Sequence, residues 1–478
     1  MGGPLLWTLL RAGLVARDAA GGKFTGSGIF GGHCSIDGQP AWHYQGPTIC
    51  NLPMVEPPLS SLPVQERRIA WLMTAVQFVS VLSFMVVMPL GPDYAMDLGI
   101  DTARVGWVLA AYTISSSIIG LLAAMVLDRF DRRPALGICM VGLVLCNVAA
   151  ALSVDLWSLL AARGLAGLFG GPAGALSVAI VADNVPAERR GKAMGMVMGS
   201  LSLSAVLGIP AALELSHLFG WRVPFLVVAG LGLVIVLIAL RLLGPQRMHM
   251  TTPSAPLREA PAHLLRVARG TLPALAFALS FIAIVPSFML ITNMAVFVQF
   301  NLGFPREQLG LLYMIGGVLS FFGMRVTGVL VDRYGSAPVT TGTALGLATL
   351  IWLLYYDWYW AALPVVALVP GFMVFNSARM VAQSAAVSKV PAPADRAGFM
   401  ALTQSVTQVA GGLAALAGSA MLTTGAKGEL LHIENVALVS LVITLLAPPL
   451  IWALERRLPR NADVSHRVKA MVKGSSGG

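Results

Sequence analysis

The chain alternates long apolar runs with short polar connections. A helix needs about 20 apolar residues to cross about 30 Å of hydrocarbon, and twelve runs of roughly that length can be separated. The pattern therefore predicts an all-α membrane protein with twelve transmembrane helices, which we number as spans 1 to 12. The predicted spans lie at about 70–90, 105–127, 135–154, 157–182, 193–214, 222–243, 272–300, 308–331, 339–356, 361–388, 399–423 and 435–454.

The polar stretches divide the chain into five parts. The N-terminal extension, 1–69, is rich in glycine and contains no apolar run of spanning length. We expect its first 53 residues to be disordered or to precede the true start of the protein. Two six-span bundles follow, at 70–243 and 272–455, and a polar connector at 244–271 joins them. A basic tail, which we expect to be cytoplasmic, occupies 456–478.

Composition supports the membrane assignment. Hydrophobic residues make up 56% of the chain and charged residues 11%, whereas soluble domains carry about 25% charged residues. The mean hydropathy is +0.77. One globular core cannot bury this much apolar surface, so lipid must cover part of it. The four cysteines show no metal-ligand spacing, and we expect neither a metal nor a cofactor.

The net charge of +10 does not indicate nucleic acid binding, because the basic residues lie in short loops and termini beside the apolar runs. They flank the start of span 1, the 2–3 and 4–5 loops, the connector and the tail, while the remaining loops are mixed or acidic. The positive-inside rule then predicts that both termini are cytoplasmic, in a bacterial inner membrane. We expect a monomer.

One charged hairpin occurs twice in the chain. Asp128-Arg129 ends span 2, and Asp332-Arg333 ends span 8 about 200 residues later, so each half carries one copy. The second copy, Gly328 to Gly335, has the spacing G-x-L-x-D-R-x-G, which resembles the loop signature of the major facilitator superfamily of transporters. The first copy departs from that signature, because Ala124 and Asp131 stand where the family usually has glycine.

The resemblance covers about 385 residues and implies the major facilitator fold. In that fold two six-helix bundles are related by a pseudo-twofold axis, and the substrate binds between them near the membrane midplane. The pattern is closest to the 12-span branch of drug and sugar proton antiporters. By resemblance, the hairpin residues form a gating latch between the bundles; topology alone is the alternative reading for their charges. These residues are Asp128, Arg129, Arg132, Arg133, Asp332 and Arg333.

Two proline-containing sites predict bends in the spans. Pro89 and Pro92 end span 1 in a P-x-x-P pattern, and proline removes backbone donors and bends a helix. Gly208 and Pro210 in span 5 resemble the signature of antiporters, although the fuller glycine-proline form is missing. A simple helix stop in span 1 and a packing seam in span 5 are the alternatives.

Arginines inside spans are the main candidates for the substrate cavity, since a charge at that depth is costly and is usually functional. Arg163 lies in span 4, where the resemblance implies a role in coupling; near a span end it would instead reach the membrane surface. Arg379 lies deeper, in span 10, with Asn376 one turn before it. The amides Asn293, Gln404 and Gln408 are further cavity candidates, with hydrogen bonds between helices as the alternative.

Acidic residues are missing where proton coupling would need them. No Asp, Glu or His lies in the interior of a predicted span. If protons are coupled to transport, Asp93 or Glu214 at the span ends must carry them, with help from Arg163. Conversely, buried arginines without buried acids favour an anionic substrate.

Two transport hypotheses follow for this chain. The first is a secondary active transporter that exports small amphipathic molecules, similar to drugs or sugars, by alternating access and proton antiport. The alternative is a facilitator or exchanger for an organic anion bound by the buried arginines. The sequence contains no HExxH motif, no GxSxG with partner residues and no Walker loop, so we do not expect an enzyme.

Overall fold

The computed structural model describes residues 63–126, 130–246, 260–356, 365–391 and 395–458. The N-terminal extension up to residue 62 and the end of the tail lie outside these ranges. Twelve long helices form the spans within them. In order these helices are Val64–Met85, Val105–Val126, Arg132–Ala151, Leu156–Asn184, Ala187–Leu203 continued by Ile209–Phe219, Arg222–Leu242, Thr271–Ile291 continued by Met294–Val296, Leu309–Tyr334, Ser336–Tyr355, Val365–Val387, Arg396–Ala420 and Ile433–Arg457.

Within the described residues, eleven of these helices are long and apolar enough to cross a membrane. The twelfth, Val105–Val126, has 22 residues and contains no charged side chain. Span 1 begins at Val64, six residues before the predicted boundary, and a further helix, Ala260–Ala268, lies in the connector. The only strands in the described chain are Thr423–Thr424 and Leu430–Leu431, which pair antiparallel between spans 11 and 12.

The two halves repeat one packing scheme. In the first half, span 4 packs against spans 1, 2 and 3, and span 6 packs against spans 1 and 3. In the second half, span 10 packs against spans 7, 8 and 9, and span 12 packs against spans 7 and 9. Span 1 also packs on span 5 as span 7 does on span 11. Between the halves, span 2 meets span 11 and span 5 meets span 8, which is the pairing that a pseudo-twofold axis produces.

Prolines mark the breaks in spans 1 and 5. The span 1 helix ends at Met85, and the chain turns through Pro89 before a short helix, Gly91–Asp97, begins with Pro92 in its first turn. In span 5 a π-helical segment, Ser204–Gly208, precedes a helix with Pro210 in its first turn. A π turn and a proline each remove a regular α-helical hydrogen bond, so the α-helix is interrupted at both sites.

The helices define two ends of the bundle. We call the end that carries Val64 and Arg457 the terminal end, and the opposite end, with the short helix Gly91–Asp97, the far end. Odd-numbered spans run from the terminal end to the far end, and even-numbered spans run back.

Candidate functional site

A salt bridge joins the two halves at the far end. The Nε atom of Arg306, in the loop before span 8, lies 2.7 Å from Oδ1 of Asp93, and Nη2 contacts Oδ2. Ser216 of span 5 donates to the same carboxylate at 2.6 Å. The side chains of Asp93 and Arg306 are only 14% and 16% exposed, so water screens this pair less than an exposed one.

Hydroxyl groups add a second link at the far end. The side chain of Thr102 lies 2.9 Å from Oγ1 of Thr424 and donates to the carbonyl oxygen of Gly428 at 3.1 Å. Thr424 also donates to Asp101. The strand pair of the second half is thereby tied to the start of span 2 in the first half.

Glycines let the two halves approach closely in the same region. A Cβ on Gly106 of span 2 would lie 2.8 Å from the carbonyl oxygen of Ala415 in span 11. A Cβ on Gly317 of span 8 would lie 2.7 Å from the carbonyl oxygen of Ala205 in span 5. Backbone atoms cannot yield to a larger side chain, so only glycine allows this approach.

The terminal end is open along the same helices. A Cβ on Gly120 of span 2, on Gly195 or Gly199 of span 5, or on Gly328 of span 8 would meet no atom within 4 Å among the described residues. The halves therefore touch at the far end, and spans 2 and 11 stay in contact as far as the bond from Ser117 to the carbonyl oxygen of Ser405 at 3.0 Å. We interpret the open space around these four glycines, among the described residues, as a crevice that widens towards the terminal end.

Arg163 lies at the junction of spans 1 and 4. Its side chain is fully buried, and Nη2 donates to the carbonyl oxygen of Ser83 at 2.8 Å. The guanidinium carbon lies 4.9 Å from the centre of the Tyr112 ring, a cation–π contact. Its Nε and Nη1 atoms have no hydrogen-bond partner among the described residues.

Arg379 occupies the corresponding junction of spans 7 and 10. Nη2 donates to the carbonyl oxygen of Ala283 at 2.7 Å and to Ser287 Oγ at 2.8 Å, and Asn376 Oδ1 lies 3.4 Å away. Ser287 also donates to Asn376, so the predicted pair of Arg379 and Asn376 is brought together by a serine. Here too Nε and Nη1 lack a partner within the described chain.

The predicted amides do not form one cluster. Asn293 is fully buried at the break in span 7 and donates to the carbonyl oxygen of Met289 at 3.4 Å. Gln408 of span 11 donates to Ser116 of span 2 at 3.3 Å and so contacts the other half. Gln404, one turn earlier, is exposed.

The described latch residues contact their own half. Arg132 forms a salt bridge with Asp183 of span 4 at 2.9 Å, and Arg133 donates to the carbonyl oxygen of Leu240 in span 6. Asp131 accepts from the backbone N–H of Arg133 and caps span 3, an ordinary role for an acid at a helix start. Asp332 and Arg333 are exposed at the end of span 8. Asp128 and Arg129 lie outside the described residues, and the latch stays a prediction.

Sequence reasoning also left gaps at the site. It named Asp93 but not its partner Arg306, and it missed Arg325, a third arginine inside a span. The rule that selected Arg163 would have selected Arg325 as well, because span 8 was predicted to run through it. Glu214 is exposed at the far end of span 5. Within the part of the chain that the structure describes, no three His, Cys, Asp or Glu side chains form a metal-binding group.

Solved structures share this fold. The D-xylose-proton symporter aligns with a TM-score of 0.66 at 18% identity, over 80% of this chain and 96% of that one. The xylose transporter XylE from E. coli, in a partially occluded inward open conformation, gives 0.63 at 17% identity over 83% and 98%. The human organic anion transporter MFSD10 gives 0.58 at 17% identity over 82% and 100%. At these identities the likeness shows the fold alone.

The family profile extends the assignment from fold to function. The chain matches the profile of the Major Facilitator Superfamily over residues 73–415, from span 1 of the first half into span 11 of the second. The predicted fold is confirmed, and the chain is an integral membrane transporter and not an enzyme. With its twelve spans, its repeated packing scheme and this match, the protein belongs to the Major Facilitator Superfamily.

Proposed function

We propose that this transporter carries a small organic anion by alternating access, as a facilitator or an exchanger. The observation that carries the proposal is the presence of buried arginines without buried acids. Arg163 and Arg379 are both 0% exposed, and neither forms a salt bridge with a described residue. No Asp, Glu or His lies in the interior of a predicted span to neutralise them.

Electrostatics gives this arrangement a preference for anions. Moving an ion into the protein interior costs several kcal/mol unless an opposite charge or hydrogen bonds compensate it. Each arginine donates to a carbonyl oxygen, but its Nε and Nη1 atoms have no partner in the described part of the chain. A solute with a carboxylate or phosphate group would offset the two positive charges, whereas a cationic solute would be repelled.

The state of the interface supports alternating access. The far end is closed by Asp93 and Arg306, while glycines of spans 2, 5 and 8 towards the terminal end have no neighbour among the described residues. We propose that the terminal end faces the cytoplasm, because the basic loops and both span termini lie there. On this orientation the described state accepts solute from the cytoplasmic side of a bacterial inner membrane, and each monomer has one crevice.

A second candidate is proton-coupled export of a small molecule similar to a drug or a sugar. One observation favours it: the Asp93 carboxylate accepts bonds from Arg306 and Ser216 where the halves meet. Protonation of Asp93 would weaken the salt bridge and favour opening of the far end, so a proton gradient could drive the cycle.

A ligand pair of matched shape and opposite charge tests the anion proposal. In a thermal-shift assay on the full chain, benzoate should raise the melting temperature and benzylamine should not. Arg379→Gln should reduce the benzoate effect, because it removes one of the two buried charges. Arg457→Gln, at the exposed end of span 12, is the charge-matched control and should respond as the parent does. Stabilisation by benzylamine alone would overturn the proposal.

Transport assays separate the two candidates. In proteoliposomes, uptake of radiolabelled benzoate that is insensitive to collapse of the proton gradient supports the anion carrier. Loss of transport when the gradient collapses supports proton antiport, and Asp93→Asn should then remove the dependence on pH.

A further inference from the structure

Arg325 lies deep inside a span. It occurs in span 8, Leu309–Tyr334, nine residues before the helix ends. At a rise of about 1.5 Å per residue, its Cα lies about 13 Å from that end. Its side chain is exposed at this depth. A guanidinium facing hydrocarbon is unfavourable, so Arg325 requires water or an anion beside it.

The contacts of Arg325 leave its hydrogen-bond donors free. Its guanidinium carbon lies 4.2 Å from the centre of the Phe321 ring, one helical turn earlier. Among the described residues it makes no hydrogen bond and no ion pair. The ring covers one face of the guanidinium, and the N–H groups point outward from its edge in a plane that fits a carboxylate or a phosphate.

Helical spacing places Arg325 beside the gap between the halves. Gly317, Phe321 and Arg325 follow one another at intervals of four residues and lie on one side of span 8. Gly317 is the residue that packs on the backbone of Ala205 in span 5. Further towards the terminal end, span 5 carries Gly195, where a Cβ would meet no described atom within 4 Å. Arg325 therefore lies where spans 5 and 8 separate.

Exposure distinguishes the three span-interior arginines. Arg163 and Arg379 are 0% exposed, so a solute that has entered reaches them only after the surrounding helices move. Arg325 is exposed, and it lies within an arc of about 80° from Gly317 on span 8. We propose that Arg325 binds the oxyanion of the transported solute, a carboxylate or a phosphate, as the solute enters from the terminal end. This inference rests on the proposed function, and it identifies which arginine the solute meets first.

Closure of the terminal end gives Arg325 a second effect. When span 5 moves onto span 8, water is excluded from the guanidinium, and no span-interior acid is present to pair with it. A buried unpaired charge costs free energy, and a bound anion removes that cost. The loaded carrier therefore closes more readily than the empty one. The protein should exchange anions across the membrane faster than it releases them in net flux.

The experiment uses the full chain in phosphatidylcholine vesicles, with benzoate and inorganic phosphate as probes. Arg325→Gln should weaken the affinity for whichever of the two anions binds the parent by about tenfold or more. The affinity of Arg325→Lys should lie between those of the parent and Arg325→Gln. Efflux of radiolabelled benzoate from parent vesicles should accelerate when unlabelled benzoate is added outside. Arg325→Gln should lose this acceleration. Arg241→Gln, exposed at the end of span 6, is the matched control, and equal melting temperatures without anion verify the fold.

The outcomes separate this inference from the proposed function. If the parent responds to an anion and Arg325→Gln responds equally, the role of Arg325 is overturned while the anion carrier stands. If the parent responds to neither probe, both are overturned. A lipid head group is the competing source of an oxyanion, so the assay is repeated with phosphatidylglycerol in the vesicles. If Arg325→Gln changes only the stabilisation by phosphatidylglycerol, the solute role is overturned.

Discussion

The interface between the halves involves the same helices at both of its ends, but the close backbone contacts occur at the far end. At the far end, spans 2 and 11 and spans 5 and 8 touch through glycines such as Gly106 and Gly317. A partly buried salt bridge and hydroxyl bonds complete the closure. At the terminal end, the same spans carry glycines such as Gly120 and Gly328, with open space around them among the described residues.

The comparison shows that composition does not decide which end is closed. Small residues occur at both ends, and each set allows close approach of backbones. The two ends differ in which set of glycines contacts the other half in this state. Two packed states of similar free energy are what alternating access requires, and a small bias at either end shifts the population between them. Substitution of a residue in the contact between the halves should therefore shift this population, whereas a matched substitution outside the contact should not.

The largest effect should come from Gly317→Ala, compared with Gly328→Ala on the same face of span 8. A Cβ at Gly317 would lie 2.7 Å from the carbonyl oxygen of Ala205, and the strain should lower the free energy of unfolding by about 1–3 kcal/mol. Alanine at 328 would meet no atom of the described residues within 4 Å and should gain up to about 1 kcal/mol from its better helix propensity. Thermal unfolding of the purified variants measures both.

Transport assays complete this pair. A free-energy bias of about 1.4 kcal/mol against closure of the far end lowers the population of the closed state about tenfold. The transport rate of Gly317→Ala should therefore fall by at least about tenfold. Equal melting temperatures for the two variants would contradict a closed far end and an open terminal end.

A smaller effect is expected for Asp93→Asn, compared with Asp97→Asn one turn later on the same short helix. Asp93 pairs with Arg306 across the halves, whereas Asp97 pairs with Arg222 within the first half. Loss of a charged hydrogen bond of about 1.5–3 kcal/mol should favour opening of the far end only in Asp93→Asn. A single cysteine at buried Ser419 reports this opening.

The reporter lies at the close contact with Gly106 and is 4% exposed in the parent. Its reaction with a water-soluble maleimide should accelerate about tenfold or more in Asp93→Asn. In Asp97→Asn the rate should stay near that of the parent. Faster labelling in both variants would mean that the far end loosens whenever either acid is lost, and the salt bridge to Arg306 would have no special role.

Much of the fold could be predicted from sequence because membranes impose simple constraints. A span must be apolar over about 20 residues, so the twelve helices followed from the hydropathy pattern. The repeated hairpin at Asp128 and Asp332 indicated two related halves. The cost of charge in lipid selected Arg163 and Arg379, and both are buried at equivalent helix junctions.

Partners were harder to predict than sites. Arg306 lies in a loop more than 200 residues from Asp93, and no local pattern relates the two. Arg163 donates to the main chain at Ser83, and every residue has such a carbonyl, so its partner has no sequence signal. The contact of Ser287 with Arg379 and Asn376 could not be predicted for a different reason. Serines are common in membrane helices and usually form hydrogen bonds within their own helix.

The smallest effect concerns the pH dependence of the control acid Asp97. The Trp221 indole N–H donates to its carboxylate at 2.9 Å, and together with the Arg222 guanidinium it lowers the pKa of Asp97. A lowered folded-state pKa stabilises the protein above the unfolded value of about 3.9, and this contribution is lost as the pH falls through the folded-state value. Since Asp97 and Arg222 are 47% and 42% exposed, solvent screening keeps the contribution small.

The measurement is the difference in melting temperature between the parent and Asp97→Asn. It should favour the parent at about pH 7, shrink as the pH falls below the unfolded-state value of about 3.9, and disappear once the pH is below the lowered folded-state pKa of Asp97. Asp93 is present in both proteins, so its contribution cancels. A difference that persists unchanged at low pH would show that Asp97 stabilises the helix by packing and not by charge. Asp97→Asn would then no longer be a charge-matched control for Asp93→Asn, and the contrast between the two acids would need a different reference.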